Sequence, residues 1–343
     1  MKVALDATYS LGPNPTGVGV YSREILRGVA AREDFDSVWY FRPHKLVAGM
    51  LEGAPRGVTR RPLLDAWAPA CDVFHGLNQR LPAKLSPRTR AVVTFHDLFV
   101  LTGEYSAPEF RARFAAQARD AAARASAVIT VSEFTAGQVC ELLGVERERI
   151  HVVHHGVREP RARIHVVARE ALVLSVGAIQ KRKNTLRLVE AFEMTPPGWR
   201  LVLAGSQEGY EAEAVLARIA RSPRREDITA LGWASEESLE DLYARASIFA
   251  FPSLDEGFGM PVLEAMARGV AVLTSNRSAL PEVAGDAAVY TDPTDVEAIA
   301  MGLVNLMGDE TMRDECVARG LTRWRLFSWE RAAWDTCAVY KAR

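Results

Sequence analysis

Phe251-Pro-Ser-Leu-Asp-Glu-Gly-Phe-Gly-Met-Pro-Val-Leu-Glu264 is the stretch on which the fold reading turns. The apolar run Ile248–Phe251 ends where it begins, and a glycine-rich turn follows. Pro261 then stands at the start of a helical pattern, a favoured early helical position. Strand, tight turn, helix is the repeating unit of an open α/β sheet. Gly257 and Gly259 are expected to leave backbone amides uncovered beside the positive end of that helix. Glu256 lies in the turn and Glu264 in the first helical turns. Amides and a carboxylate together suit several sugar hydroxyls, and Glu264 suits a vicinal diol such as a ribose. Two solvated acids capping a helix is the plain alternative. The glycines, the proline and the strand–helix context favour a ligand.

The same unit recurs on either side. Upstream, Val3–Leu5, Val38–Phe41, Val73–Phe74, Ala91–Phe95, Ala127–Val131 and Ile150–Val153 read as strands, with helices at Val18–Arg32, Pro108–Ala125 and Glu133–Leu143. Arg158–Arg163 is polar, carries a proline and reads as a linker. The alternation then restarts. Leu172–Val176, Arg200–Ala204, Ile228–Leu231, Ile248–Phe251, Ala271–Thr274 and Ala288–Tyr290 form a second set of strands. Helical patterns at Thr185–Phe192, Ala212–Ala220, Ser238–Arg245 and Pro261–Arg268 separate most of them. Asp295–Met307, Met312–Arg325 and Ser328–Lys341 close the chain as helices. Runs that stay apolar at every position mark strands covered on both faces, as in parallel sheets. The expectation is α/β: two doubly wound units, residues 1–163 and 164–325, and a terminal helix over 326–343.

Composition agrees. The 343 residues suit two domains, and 48% hydrophobic residues suit a globular chain. Lys+Arg (42) against Asp+Glu (43) leaves a net charge of -1, without the basic excess of a general nucleic-acid binder. Cys71, Cys140, Cys316 and Cys337 include no CxxC pair, which argues for reduced thiols rather than a disulfide scaffold or a cysteine zinc site. Met1–Asp6 lacks the apolar core of a signal peptide, and no stretch reaches the roughly 20 apolar residues of a membrane span. A cytoplasmic protein is expected. Arg111, Arg113, Arg119 and Arg124, with Lys84, Arg88 and Arg90, read first as solvated faces and second as a peripheral contact with anionic lipid at the inner membrane face.

Ligands of such sheets bind beyond the carboxyl ends of the strands. Val176-Gly-Ala-Ile-Gln-Lys-Arg-Lys-Asn184 follows one strand and opens a helix, so amides and cations converge there. Cations at a helix N-terminus oppose the macrodipole, which favours a bound anion. His96 follows Ala91–Phe95, with Asp97 placed to orient the ring or cap a turn. Phe74-His-Gly-Leu-Asn78 follows another strand. Thr16-Gly-Val-Gly-Val-Tyr21 has two glycines, but Ser22 replaces the third of a dinucleotide fingerprint, and Phe41-Arg42-Pro43 supplies no acid after the second strand. An NAD site is therefore disfavoured. His151, His154 and His155 flank a strand end where alternate side chains diverge, so they do not read as a metal site. Asp34-Phe-Asp36 is formally a D-x-D but lies far from these turns in sequence.

Glu256 and Glu264, with seven residues between them, followed by Ala265-Met-Ala-Arg-Gly269, match the E-x7-E signature of retaining glycosyltransferases of family 4 (group 1). The resemblance covers nearly the whole chain. It implies a GT-B fold, two Rossmann-like domains facing across a cleft, with the acceptor on the N-terminal side and a nucleotide-sugar donor on the C-terminal side. Lys183 falls at the family's phosphate lysine; Ala178 stands where many members have an arginine, with Arg182 its best substitute. The resemblance assigns His96 to the face of the reacting sugar, Glu256 and the amides of Phe258 and Gly259 to its hydroxyls, Gly257 to the donor, and Glu264 to the ribose. Gly177 is placed at the donor phosphates, Gly17 and Gly19 at the donor phosphates or the acceptor, and Trp233 and Ala234 at the base, where Trp233 either stacks or packs; Asp97 is placed at the acceptor, and His75 and Asn78 either line the acceptor pocket or form a structural turn. His155 and Arg158 depart from the family's Asn-Gly-Val-Asp. Arg182-Lys-Asn184, Leu280-Pro-Glu282 and Phe327-Ser-Trp329 resemble the O-antigen mannosyltransferase branch. That points to GDP-mannose, with a UDP-sugar as alternative donor, no metal, no cofactor, and a glycan, lipid-linked or small-molecule acceptor. A sugar-nucleotide epimerase and a non-catalytic nucleotide-sugar binder are the rival readings.

Overall fold

The computed structural model describes residues 1–12, 16–160 and 168–342. The chain divides into two compact units. One comprises Met1–Thr102, Pro108–Gly156 and Phe327–Arg343; the other comprises Gly103–Ala107 and Val157–Leu326. The expected boundary at 163/164 lies outside the described residues.

The first unit holds β1 (Lys2–Asp6), β2 (Asp36–Phe41), β3 (Thr59–Pro62), β4 (Val73–Gly76), β5 (Arg90–Phe95), β6 (Ala127–Thr130) and β7 (Ile150–Val152). They form one sheet in the order β3-β2-β1-β4-β5-β6-β7, and every pairing is parallel. Strand order reverses between β1 and β4. The unbroken apolar runs follow from burial on both faces. Val3 and Leu5 pack with Tyr21, Ile25 and Leu26 on one side, while Ala4 packs with Phe74, Val93 and Phe95 on the other.

The sequence reading missed β3. Thr59-Arg-Arg-Pro62 has no apolar run because it is an edge strand, mostly exposed, and only at an edge is the missing donor of Pro62 tolerated.

The terminal helix Trp329–Lys341 lies against the helix Gly17–Ala30 of the same unit, and Ala332, Ala333, Cys337 and Tyr340 join its core. Two glycines allow this approach. A Cβ on Gly28 would fall 2.3 Å from Ala333 Cβ, and one on Gly156 would fall 2.1 Å from the Trp329 nitrogen.

The second unit holds β8 (Glu170–Val176), β9 (Arg200–Ala204), β10 (Ile228–Gly232), β11 (Ala246–Phe251), β12 (Ala271–Ser275) and β13 (Ala288–Thr291). Their order is β10-β9-β8-β11-β12-β13, again all parallel. Here the order reverses between β8 and β11, where Val173 faces Ile248 and Leu174 faces Phe249. The turns leaving β8 and β11 therefore emerge side by side at the switch point, where open α/β sheets take their ligands.

Candidate active site

At the carboxyl end of β8 the chain turns through Gly177 at φ 143°. A Cβ on Gly205, in the turn after β9, would lie 2.0 Å from the Gly177 oxygen, so the two turns are stacked backbone on backbone. Gly177, Ile179 and Lys181 donate to the carbonyls of Ala204, Ser206 and Tyr210, which anchors the turn. A single 3-10 turn, Lys181–Lys183, then presents three consecutive cations. Lys181 points to Glu211. Arg182 and Lys183 point to the β11 turn.

Asn184 joins that turn to the helix Thr185–Glu193. Its backbone is left-handed at φ 58°, a conformation asparagine tolerates better than most residues. Its side-chain amide donates to the carbonyls of Pro252 (2.9 Å) and Pro293 (2.6 Å). Leu254 N donates to the Arg182 carbonyl, and the Arg182 guanidinium donates to the Asp255 carbonyl (2.6 Å). The two turns are thus laced together.

Glu256 is the focus of this lacing. One carboxylate oxygen lies 2.6 Å from Lys183 Nζ and the other 2.9 Å from Arg182. The three side chains are between 8% and 16% exposed. Burial alone would raise the Glu256 pKa; the charges of Arg182 and Lys183 outweigh it and hold the carboxyl at about 2. Lys183 Nζ also sits 4.6 Å above the centre of the Phe251 ring. From behind, Ser278 Oγ accepts from Glu256 N (3.1 Å) and Ala279 N donates to the Glu256 carbonyl (3.2 Å). Ser278 itself is left-handed, at φ 58°. Two cations and one anion leave a net charge of about +1.

Gly257 and Gly259, expected to leave their amides uncovered, are buried, and so is Phe258 between them. Leu280 packs over the turn so closely that a Cβ on Gly259 would come within 2.7 Å of its Cδ2. The helix Met260–Ala267 follows, with Gly259 (φ 105°) at its start. Glu264 is half-buried on this helix and receives a hydrogen bond from the Tyr243 hydroxyl (3.2 Å). Burial pushes its pKa up, against the pull of Arg268. Trp233 and Ala234 follow the edge strand β10, with the indole well exposed.

In the first unit, Gly17 and Gly19 are not a free loop. They form the first turn of Gly17–Ala30, capped by Thr16, and Gly19 is buried. His96 directly follows β5. Its Nε2 donates to the Leu77 carbonyl (2.9 Å), which leaves Nδ1 as the unprotonated acceptor, without a hydrogen-bond partner among the described residues. Burial lowers its pKa to about 4, so the ring is neutral at pH 7. Tyr21 meets it edge-on at 4.6 Å between centroids.

His75 departs from expectation. Of its two expected places, the acceptor pocket and a structural turn, the first is not met, because His75 has no exposed area. Its Nδ1 lies 2.6 Å from Tyr340 OH and its Nε2 lies 2.8 Å from Thr94 Oγ1, which also meets Tyr21 OH at 2.9 Å. As an inward-facing residue of β4 it ties the terminal helix to the sheet. Asn78 is half-buried and accepts from Gln79 N, and Asp97 is also half-buried. The D-x-D acid Asp34 pairs with Arg32 and Lys341. Among the described residues no group of three or more His, Cys, Asp or Glu could hold a metal ion, and no helix is long and apolar enough to cross a membrane.

Sequence reasoning did not single out Tyr243, Ser278 or the two-way amide of Asn184. Asn184 carried a signal, an asparagine between two helical turns. Tyr243 and Ser278 carried none, since their partners are 21 and 22 residues away.

Comparison with known proteins agrees with this geometry. Residues 158–323 match the family described as Glycosyl transferases group 1, and residues 16–161 match Glycosyltransferase Family 4. The O-antigen chain mannosyltransferase B of Escherichia coli is 30% identical across 95% of this chain and 96% of its own length. The serotype-specific mannosyltransferase WbdA of Escherichia coli is 32% identical over 61% of this chain, a match spanning 28% of that longer protein. Among solved structures, sucrose-phosphate synthase from Thermosynechococcus elongatus superposes with a TM-score of 0.81 at 19% identity, covering 99% of this chain and 98% of that one. Two family matches that together span nearly the whole chain, a full-length relative and the two parallel sheets converge: the chain belongs to glycosyltransferase family 4 (group 1), has the GT-B type of fold, and is a glycosyltransferase.

Proposed function

We propose that this enzyme is a retaining mannosyltransferase that takes mannose from GDP-mannose to a hydroxyl of a growing glycan or glycoconjugate. The observation that carries the donor site is Glu256 bridging Arg182 and Lys183 at the switch point of the second unit. An anion already sits between two desolvated cations there. A nucleoside diphosphate is a stronger bidentate anion than a carboxylate and suits the same pair. Full-length similarity to a mannosyltransferase supports the sugar.

On this reading the diphosphate takes Arg182 and Lys183, and Glu256 is released to accept hydrogen bonds from the sugar hydroxyls. Glu264 takes the ribose. As the bond from the anomeric carbon to the phosphate oxygen breaks, charge grows on the leaving phosphate, and the two cations stabilise it most at that point. The acceptor oxygen bonds to the anomeric carbon on the same face, and its proton passes to the departing phosphate oxygen. The positive charge is supplied by side chains, so no divalent cation is required. The family resemblance, rather than any arrangement of the two units, assigns His96 to the sugar and Asn78 and Asp97 to the acceptor.

The test is thermal shift with GDP, UDP, ADP and NAD, each with and without EDTA. A ligand that binds only the native state raises stability by RT ln(1 + [L]/Kd). The expected result is a GDP-selective shift that EDTA leaves unchanged. A UDP-selective shift replaces the donor, loss of the shift in EDTA overturns metal independence, and a shift with NAD alone overturns the site.

A further inference from the structure

We propose that Tyr243 is a positioning residue for the donor nucleotide: its phenol holds one oxygen of the Glu264 carboxylate so that the other faces the ribose diol. The inference rests on the assignment of Glu264 to the ribose. Tyr243 sits near the end of the helix Glu236–Arg245, which leads into β11, and Glu264 lies on the helix that follows β11. The Tyr243 ring is 2% exposed and packs against Phe249 at 5.9 Å between centroids. A phenol fixed in this way has little freedom to aim its hydroxyl elsewhere. That hydroxyl donates to Glu264 Oε2 at 3.2 Å, and it is the one hydrogen bond to the Glu264 carboxylate among the described residues.

The neighbouring cation is held away. Arg268 is one helical turn beyond Glu264, and its guanidinium lies 5.1 Å from the Tyr243 ring centre. It pairs with Glu240 and donates to the Glu264 main-chain carbonyl rather than to the carboxylate. This difference matters chemically. A guanidinium would neutralise the carboxylate and occupy both oxygens, leaving a poor acceptor for a diol. A phenol fixes the orientation with one neutral hydrogen bond and leaves the charge and the second oxygen available. The phenol also draws the Glu264 pKa down, against the burial that raises it.

The test is Tyr243→Phe, which keeps the ring packing and removes only the hydroxyl. Titration of GDP and 2′,3′-dideoxy-GDP, by calorimetry, reads the ribose contact directly. Wild type is expected to prefer GDP, and Tyr243→Phe to bind GDP about tenfold more weakly while binding the dideoxy nucleotide as wild type does. In Glu264→Ala the same preference should vanish, and adding Tyr243→Phe should change nothing further. In Tyr243→Phe the loss of GDP affinity on acidification should begin at a higher pH, because the hydrogen bond favouring the carboxylate is gone. If Glu264→Ala weakens GDP and Tyr243→Phe does not, the positioning role is overturned and the ribose assignment stands. If Glu264→Ala leaves GDP and dideoxy-GDP unchanged, the ribose assignment itself fails. Equal weakening of both nucleotides by Tyr243→Phe would mark a packing role only and overturn the proposal.

Discussion

Replacing Glu256 by glutamine should destabilise the enzyme and tighten its hold on the product nucleotide. The carboxyl is held at about 2 against an ordinary 4.5. At about 1.4 kcal/mol per pKa unit, the charged form gains roughly 3 kcal/mol from its surroundings, net of its own burial. Its side chain is 8% exposed, so solvent screening removes little of this. Glutamine keeps the shape and loses the charge, leaving Arg182 and Lys183 without their carboxylate. For a unit of this size, about 3 kcal/mol corresponds to a fall of roughly 6–12 °C in Tm.

The pH dependence has a definite sign. The folded pKa lies below the unfolded one, so the stabilisation is complete above about pH 4.5 and fades as pH falls toward 2. The gap between wild type and Glu256→Gln should therefore narrow in acid. Anion binding should move the other way. The local charge rises from about +1 to +2, and a diphosphate no longer displaces a carboxylate, so GDP should bind at least about tenfold tighter. On the proposed donor reading turnover should nevertheless fall, because the sugar hydroxyls lose the carboxylate that accepts their hydrogen bonds. Thermal scans at pH 4 to 8 and calorimetric titration with GDP read both effects. Equal Tm at pH 7 together with unchanged GDP affinity would refute the picture of a carboxylate clamped between two cations.

Two further outcomes follow from the geometry. Lys183→Ala should fold, since Arg182 still pairs with Glu256, and lose about 10²–10³-fold in kcat through the missing charge on the leaving phosphate; a folded variant with normal turnover would remove Lys183 from the mechanism. Tyr340→Phe strips His75 Nδ1 of its partner and should cost about 1–3 kcal/mol for the unsatisfied buried nitrogen. Hydrogen exchange should then show faster opening of Trp329–Lys341, whereas unchanged protection there would mean that the apolar contacts alone seat this helix.

Much of the fold was readable along the chain because each strand of a covered parallel sheet must be apolar at every position. Val3–Leu5 and Ile248–Phe251 announce themselves for that reason. Glycine and proline punctuation placed the helix after β11, since few other residues serve such a turn. Thr59–Pro62 escaped because an edge strand needs no apolar pattern: solvent takes one side of it.

The site residues divide along the same line. Lys183, Arg182 and Glu256 were legible as residue types, and the sequence alone determined that cations follow one strand and a carboxylate follows another. Only the tertiary structure decided that Glu256 closes onto both cations, because β8 and β11 become neighbours only once the sheet forms. His75 looked the same in sequence as His96, each just past an apolar run. Both are buried, and their difference is set by packing: His75 on β4 has both ring nitrogens engaged, by Tyr340, 265 positions away, and by Thr94, whereas His96 after β5 bonds Leu77 and keeps Nδ1 without a hydrogen-bond partner among the described residues. Tyr243 was silent for the same physical reason. A hydrogen bond between two helices that flank one strand depends on where the sheet places them, and no local propensity encodes that.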